Sequence, residues 1–314
     1  MKRRKLLTAL LVIDLLLIVA YLGGSWYFSG ILLAFPHATF AGDQARTDIP
    51  EPEDLGLPTP ENVTIAAAGE TLAGWYFEND LNGDCGMLLL HGRSSTRYGA
   101  LRFAPLFWDR GCDLLLFDAR YHGDSTGEFG TYGYHESEDT LAALDWFTNR
   151  AGLSRSQVGL MGTSYGAATA LLTAAKAPDI AFVAADSPYR DLETIITEQG
   201  VQQYGQFVQL FVPGAFWIAG LRADFDPYAV SPMAAAAQIE APVFLLHSQQ
   251  DSYTLPYHSQ DIYNNLGDEE GVLYLTDWGA AHSASITVNF DGYDAYMDDF
   301  LAQYAPQFPS PSGR

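Results

Sequence analysis

The stretch QVGLMGTSYGAATALLTAA, Gln157 to Ala175, constrains the fold more tightly than any other part of this sequence. An apolar run of strand character ends in Gly162-Thr-Ser-Tyr-Gly166, and a run of small residues follows. The G-x-S-x-G pattern alone is weak: with glycine at roughly 7% of residues, a chain this long has about a one-in-ten chance of an accidental match. The flanks carry the information. A buried strand that turns sharply into a helix holds a serine on a strained turn with its hydroxyl presented at the strand end. Side chains at positions 162 and 166 would hinder that close approach, so Gly162 and Gly166 are expected to be required. The N-terminus of the helix supplies N–H groups and a positive dipole end suited to an oxyanion.

The same alternation recurs along the chain. NVTIAAAGETLAGWYF reads as a hairpin; GMLLL, CDLLLF, IAFVAAD, PVFLLHS and GVLYLTD read as short buried strands. Helical stretches separate them, among them ESEDTLAALDWFTNRAG, with acids in its first turn and Arg150 in its last. Continuously apolar strands alternating with helices predict a mostly parallel, doubly wound α/β sheet covered on both faces. In such a sheet, ligands bind beyond the strand C-termini. His91, Asp118, Ser164, Asp186, Asp251 and His282 all follow strands.

Composition bounds the partners. Hydrophobic residues make up 48% and charged residues 17%, enough for a large core. The net charge of −22 argues against nucleic acid, which needs a basic surface. The N-terminus stands apart: MKRRK precedes a nearly unbroken apolar run from Leu6 to Phe28, interrupted by Thr8 and Asp14. At about 1.5 Å per residue that run can cross a hydrocarbon layer of about 30 Å. The basic block predicts a cytoplasmic N-terminus with the rest exported. A cleaved signal peptide, whose apolar region is normally about 7–15 residues, is the rival reading. The expected organisation is therefore a basic tip and transmembrane anchor over 1–28, a Pro- and acid-rich linker over 29–60, a catalytic domain over 61–305 and a flexible tail over 306–314.

A serine nucleophile needs a base, and the base needs an orienting acid. At a strand-to-helix turn of this kind the chain order is Ser, acid, His. His282, in DWGAAHSAS, follows the last predicted strand and is preferred to His247 and His258. Asp251, in the loop after PVFLLHS, is the preferred acid; Asp277 and then Asp186 are the alternatives.

With these pieces in place the chain resembles the α/β-hydrolase superfamily, and within it the membrane-anchored branch often labelled serine aminopeptidase or lysophospholipase-like. The resemblance rests on HGRSS at His91–Ser95, DARYHGDSTG at Asp118–Gly127, GTSYG, SQQD ending at Asp251, and AAHS containing His282. It spans from about Leu72 to the C-terminal helix and implies an α/β-hydrolase fold with a Ser164–Asp251–His282 triad. It also implies an oxyanion hole made by the backbone N–H groups of Arg93 and Tyr165. The Asp118–Gly127 loop is then scaffold. The Arg93 side chain departs from the small or apolar residue expected there; it is read as facing solvent or pairing with an acid, the alternative being recognition of a substrate carboxylate or phosphate. In the strand order of this fold, the strands after Cys85 and Cys112 are neighbours, which predicts a disulfide at their N-terminal ends.

About fifty residues separate Asp186 from Pro242, far more than a crossover needs, and YGQFVQLFVPGAFWIAGL within them is apolar and aromatic. A helical lid over about 187–240 is expected, covering an apolar pocket. A second membrane span is too short and is broken by Gln209, Pro213 and Gly214. No metal or other cofactor is implied. The expected partners are a small-molecule acyl substrate and, through the anchor, a membrane; the oligomeric state is left open. Hydrolysis of a carboxylic ester, lipid or lysophospholipid-like, is the first expectation. A peptidase acting on short peptides is the second, and a non-catalytic membrane-tethered binding protein is the third.

Overall fold

The computed structural model describes residues 2–47, 51–81, 84–267, 271–308 and 310. In chain order, helix α1 (Lys2–Leu33) and α2 (Phe40–Thr47) precede the hairpin β1 (Glu61–Ala67) and β2 (Glu70–Phe77). Then follow β3 (Gly86–Leu90), α3 (Arg97–Ala100), α4 (Ala104–Trp108), β4 (Asp113–Phe117), α5 (Tyr134–Ala151), β5 (Val158–Thr163), α6 (Tyr165–Ala174) and β6 (Phe182–Asp186). Helices α7 (Leu192–Tyr204), α8 (Val212–Ala223) and α9 (Pro232–Ala236) separate β6 from β7 (Val243–Ser248). The chain closes with α10 (Tyr257–Asn264), β8 (Gly271–Thr276), α11 (Ser285–Val288) and α12 (Phe290–Tyr304).

The eight strands form one sheet in the order β1-β2-β4-β3-β5-β6-β7-β8. Strands β3 to β8 run parallel to their neighbours; the β1–β2 and β2–β4 pairs are antiparallel. The continuously apolar strands are central because both of their faces are covered. Ala143, Leu144 and Phe147 of α5, Leu171 of α6 and Ile262 of α10 pack one face. Tyr98 of α3, Phe107 of α4 and Met297, Phe300 and Leu301 of α12 pack the other. Strand β1, at the edge, instead alternates exposed and buried residues from Thr64 to Ala67, as a strand with one wet face does.

Cys85 and Cys112 immediately precede β3 and β4, and the structure joins them in a disulfide with Cα atoms 4.7 Å apart. Strand parallelism puts this link at the N-terminal edge of the sheet, opposite the end where Ser164 emerges.

Three segments differ from the expected boundaries. Helix α1 continues to Leu33, beyond Phe28, and Leu32, Leu33 and Phe35 are buried in a cluster with Tyr132, Tyr165 and Phe216. A helix apolar on every side shows no face in its sequence, so the point where it begins to pack against the rest of the protein is invisible there. Tight packing fixes it: a Cβ on Gly214 of α8 would lie 2.2 Å from Ser25 Oγ, and one on Gly24 would lie 2.3 Å from the Phe211 ring. The expected linker holds α2, whose buried Asp43 accepts hydrogen bonds from Ser95 Oγ (2.8 Å) and Thr96 Oγ1 (2.9 Å). In the expected tail, Phe308 is buried against Phe182, with ring centroids 5.0 Å apart; Pro309 and residues 311–314 lie outside the described residues.

Candidate active site

Ser164 connects β5 to α6 with φ 54° and ψ −114°, in the left-handed half of backbone space that a serine rarely occupies. The two flanking glycines explain how the turn is packed. A Cβ on Gly162 would meet Gly166 O at 2.2 Å, and one on Gly166 would meet Leu90 O at 2.5 Å and His91 O at 2.6 Å. The strand–turn–helix thus closes against itself and against the end of β3, and only hydrogen fits at either position.

His282, in the loop between β8 and α11, brings Nε2 to 2.8 Å from Ser164 Oγ. Its Nδ1 lies 2.6 Å from Asp251 Oδ2. An ionised carboxylate only accepts, so Nδ1 carries the hydrogen and Nε2 presents its lone pair to the serine hydroxyl. Asp251 is buried in the loop after β7; its Oδ1 accepts the N–H groups of Tyr253 and Thr254, both at 2.9 Å. Burial raises the Asp251 pKa, but hydrogen bonds from His247 and His282 outweigh it and hold the carboxyl below the usual carboxylate range. Strand β7 supplies His247, whose Nε2 donates to Thr254 O at 2.8 Å and lies 3.3 Å from Asp251 Oδ2. The alternative acids stand elsewhere: Asp277 is exposed, and Asp186 is buried at the end of β6, accepting from Ser187 Oγ at 2.7 Å. His258 caps a different contact, 3.0 Å from Glu198 Oε2.

The turn at His91-Gly92-Arg93 faces the serine: a Cβ on Gly92 would stand 3.9 Å from Ser164 Cβ. Tyr165 is the first residue of α6, so its N–H has no intrahelical acceptor. The turn is braced from behind. His91 Nδ1 donates to Gly92 O (2.8 Å), and Nε2 accepts from Ala119 N (2.9 Å). His122 Nδ1 donates to Arg120 O (2.9 Å), and Nε2 accepts from Ser94 N (3.3 Å). Burial pushes the His122 pKa down to about 3, which keeps it neutral in this role. Asp118 holds Arg97, accepting its N–H at 2.7 Å and its guanidinium at 2.6 Å, while burial pushes its own pKa up to about 6. These contacts make the Asp118–Gly127 loop a brace for the segment His91–Arg97.

The Arg93 side chain departs from the reading as a solvent-facing or acid-paired group. Its Nη1 donates to Tyr132 Oη at 3.2 Å and its Nη2 to Tyr253 Oη at 2.9 Å, and it lies 5.5 Å from the Phe35 ring centroid. Among the described residues it has no carboxylate partner. The loop carrying Asp251 reaches it through Tyr253. Tyr253 also packs on the His282 ring, with centroids 4.8 Å apart, and donates to Gln199 Oε1 of α7 at 3.2 Å. Sequence reasoning missed this tyrosine, which lies two residues beyond Asp251 but meets Arg93 from 160 residues away.

The sheet order, the strand–serine–helix turn and the convergence of loops at the strand C-termini define an α/β-hydrolase. Residues 42–214 match the model of the X-Pro dipeptidyl-peptidase (S15) family. Among curated proteins, YqkD of Bacillus subtilis (strain 168) is 30% identical over 217 residues, covering 68% of this chain and 70% of that one. The chain belongs to this family. Among solved structures, the Pyrococcus furiosus esterase Pf2001 aligns over 81% of this chain and 94% of its own at 23% identity, TM-score 0.65. An acylaminoacyl peptidase of Pyrococcus horikoshii aligns over 83% of this chain and 44% of its own at 17% identity, TM-score 0.62; both likenesses concern the fold. The protein is a hydrolase of esterase or peptidase type.

Proposed function

We propose that the protein is a serine hydrolase of carboxylic esters that works through an acyl-enzyme. Ser164 Oγ attacks the carbonyl carbon as its proton passes to His282 Nε2, and Asp251 stabilises the resulting imidazolium. The N–H groups of Arg93 and Tyr165 receive the oxyanion, a donor of this kind being worth about 3–4 kcal/mol in the transition state. Collapse breaks the bond to the leaving oxygen, which takes the proton from His282. Water then attacks the acyl-enzyme, again losing a proton to His282, and releases the acid with Ser164 restored. The observation that carries this reading is the continuous chain of contacts, 2.8 Å from Ser164 to His282 and 2.6 Å from His282 to Asp251.

Ester is preferred to the amide of a free amino terminus on electrostatic grounds. The groove at Ser164, about 450 Å³, is lined by Arg93 and Arg102, and no carboxylate is among its lining residues. An α-ammonium group on the acyl part would face Arg93 on either side of Ser164, with no carboxylate among the lining residues to hold it. Peptide cleavage is the second reading, favoured by the family's own description. A chain-length series of nitrophenyl esters against aminoacyl amides separates the two. Turnover of the esters at a kcat/KM at least about tenfold above the amides supports the first reading, and the reverse order replaces it with the second.

We also propose that α1 is a retained single-pass anchor with a cytoplasmic N-terminus and an extracytoplasmic catalytic domain. Among the described residues α1 is the one helix long and apolar enough to cross a membrane. Its last turns pack into the catalytic domain, which supports retention over cleavage. The Cys85–Cys112 disulfide suits an oxidising compartment.

A further inference from the structure

A second cavity lies beside the groove. It is about 120 Å³ and its walls are mostly apolar: Phe28, Ile31 and Leu32 of α1 and Val208, Val212 and Phe216 of the lid line it, beside the polar side chain of Gln203. Arg93, Tyr132, Ile196 and Gln199 line it at one end. These same four residues, together with Ser164, also line a small space of about 20 Å³, which we read as the passage between the cavity and the serine. His282 lines neither the cavity nor the passage, but it does line the larger groove.

This division assigns the two sides of a bound substrate. The leaving group must receive its proton from His282, so it occupies the groove that His282 lines, which is polar and roomy. The acyl group departs from the carbonyl carbon in the other direction, along the passage. We infer that the cavity between the end of α1 and the lid is the acyl subsite, that it takes a compact apolar acyl group, and that the membrane helix is itself one of its walls. The inference rests on the serine-hydrolase reading and sharpens its substrate class. Size decides against a long chain: an apolar cavity of about 150 Å³ holds a benzene molecule, and this one is slightly smaller. The preferred substrate is therefore the ester of a short or compact apolar acid with a polar alcohol, and a long-chain lipid is disfavoured.

The wall is built in. Tyr132 Oη donates to Leu32 O at 3.1 Å, and Arg222 of α8 donates to Ser29 Oγ at 3.0 Å, so α1 is tied to both the loop before α5 and the lid. A helix serving only as a tether has no reason to make these contacts.

The test uses the full-length protein in detergent and p-nitrophenyl esters from acetate to octanoate. For wild type, kcat/KM for butyrate exceeds that for acetate by about tenfold or more, as a filled apolar pocket discriminates per methylene. Ala215→Phe, which fills the cavity from the lid, lowers the butyrate-to-acetate ratio by about tenfold. Ile31→Ala, on the half-exposed face of α1, enlarges it and raises the octanoate-to-butyrate ratio several-fold. If Ala215→Phe does not fold, Ile31→Ala still decides the matter. Ratios unmoved by either substitution, in protein that still reacts with a fluorophosphonate at Ser164, overturn the subsite. Failure of folded wild type to react overturns the underlying serine-hydrolase reading instead.

Discussion

Ser164 and His282 are 118 residues apart in the chain, and their Oγ and Nε2 atoms are 2.8 Å apart. Two loops at the same edge of the sheet deliver them, one after β5 and one after β8. The third member, Asp251, arrives from the loop after β7 and contacts His282 at 2.6 Å. Its charge holds the hydrogen of the imidazole on Nδ1, so His282, the proposed base, depends on the carboxylate for its tautomer.

That dependence predicts a large effect from a small change. Asp251→Asn keeps the size of the side chain but lets it donate, which stabilises the wrong tautomer of His282. Ester turnover should fall by about 10⁴-fold in kcat, with circular dichroism unchanged. A loss smaller than about tenfold would assign the orienting role to another acid.

The glycines of the turn are tested through stability. Gly166→Ala places a methyl 2.5 Å from Leu90 O and 2.6 Å from His91 O, both backbone atoms that cannot swing away. We expect a loss of more than about 2 kcal/mol, seen as a fall of several degrees in Tm, together with loss of activity. A variant as stable and active as wild type would mean that the strand and helix stand further apart than described.

His122 gives a pH signature. Its folded pKa, about 3, lies below the ordinary histidine value of 6.5 because the buried ring resists protonation. The unfolded chain therefore binds the extra proton first. The stability this group contributes is complete above pH 6.5 and is lost progressively as pH falls toward 3, at up to about 1.4 kcal/mol per pH unit. Asp118 works the other way, because its pKa of about 6 is raised above 3.8. Its contribution is complete below pH 3.8 and is lost as pH rises through 6. The comparison that isolates His122 is wild type against His122→Gln. The difference in unfolding free energy between them should shrink as pH drops from 7.5 to 5.5, and parallel curves would contradict the assignment.

The disulfide is predicted to matter for stability and not for chemistry. It joins Cys85 to Cys112 across a sequence separation of 27, at the sheet edge away from Ser164. Replacing both cysteines with serine should lower stability by about 3.5 kcal/mol on the loop-entropy model, while kcat/KM at a temperature where the variant is folded stays near the wild-type value. A marked change in kcat/KM with unchanged stability would place the bond's role in the active site.

Much of this arrangement was legible because local sequence dictates it. GTSYG is followed by small residues since α6 must approach β3 closely, and the central strands are uniformly apolar since both faces are covered. The order Ser, acid, His made Asp251 and His282 the first choices among several carboxylates and histidines. Other features depend on contacts remote in sequence. Arg93 meets Tyr253, 160 residues away, and nothing near either residue announces the pair. The docking of α1 was hidden because an all-apolar helix has no patterned face. Asp43, buried under Ser95 and Thr96, sits in a segment whose prolines and acids resemble those of a solvated linker. Phe308 has its place because Phe182 leaves a space for it, which the tail's composition does not show.

The central claim is that Ser164 is the nucleophile, and covalent labelling tests it most directly. Full-length wild type and Ser164→Ala are exposed to a fluorophosphonate probe, and the modified peptide is identified by mass spectrometry. The account predicts stoichiometric modification of wild type at Ser164, prevented by prior denaturation, and none in Ser164→Ala. Folded wild type that stays unmodified, or a variant that labels as readily as wild type, would contradict it.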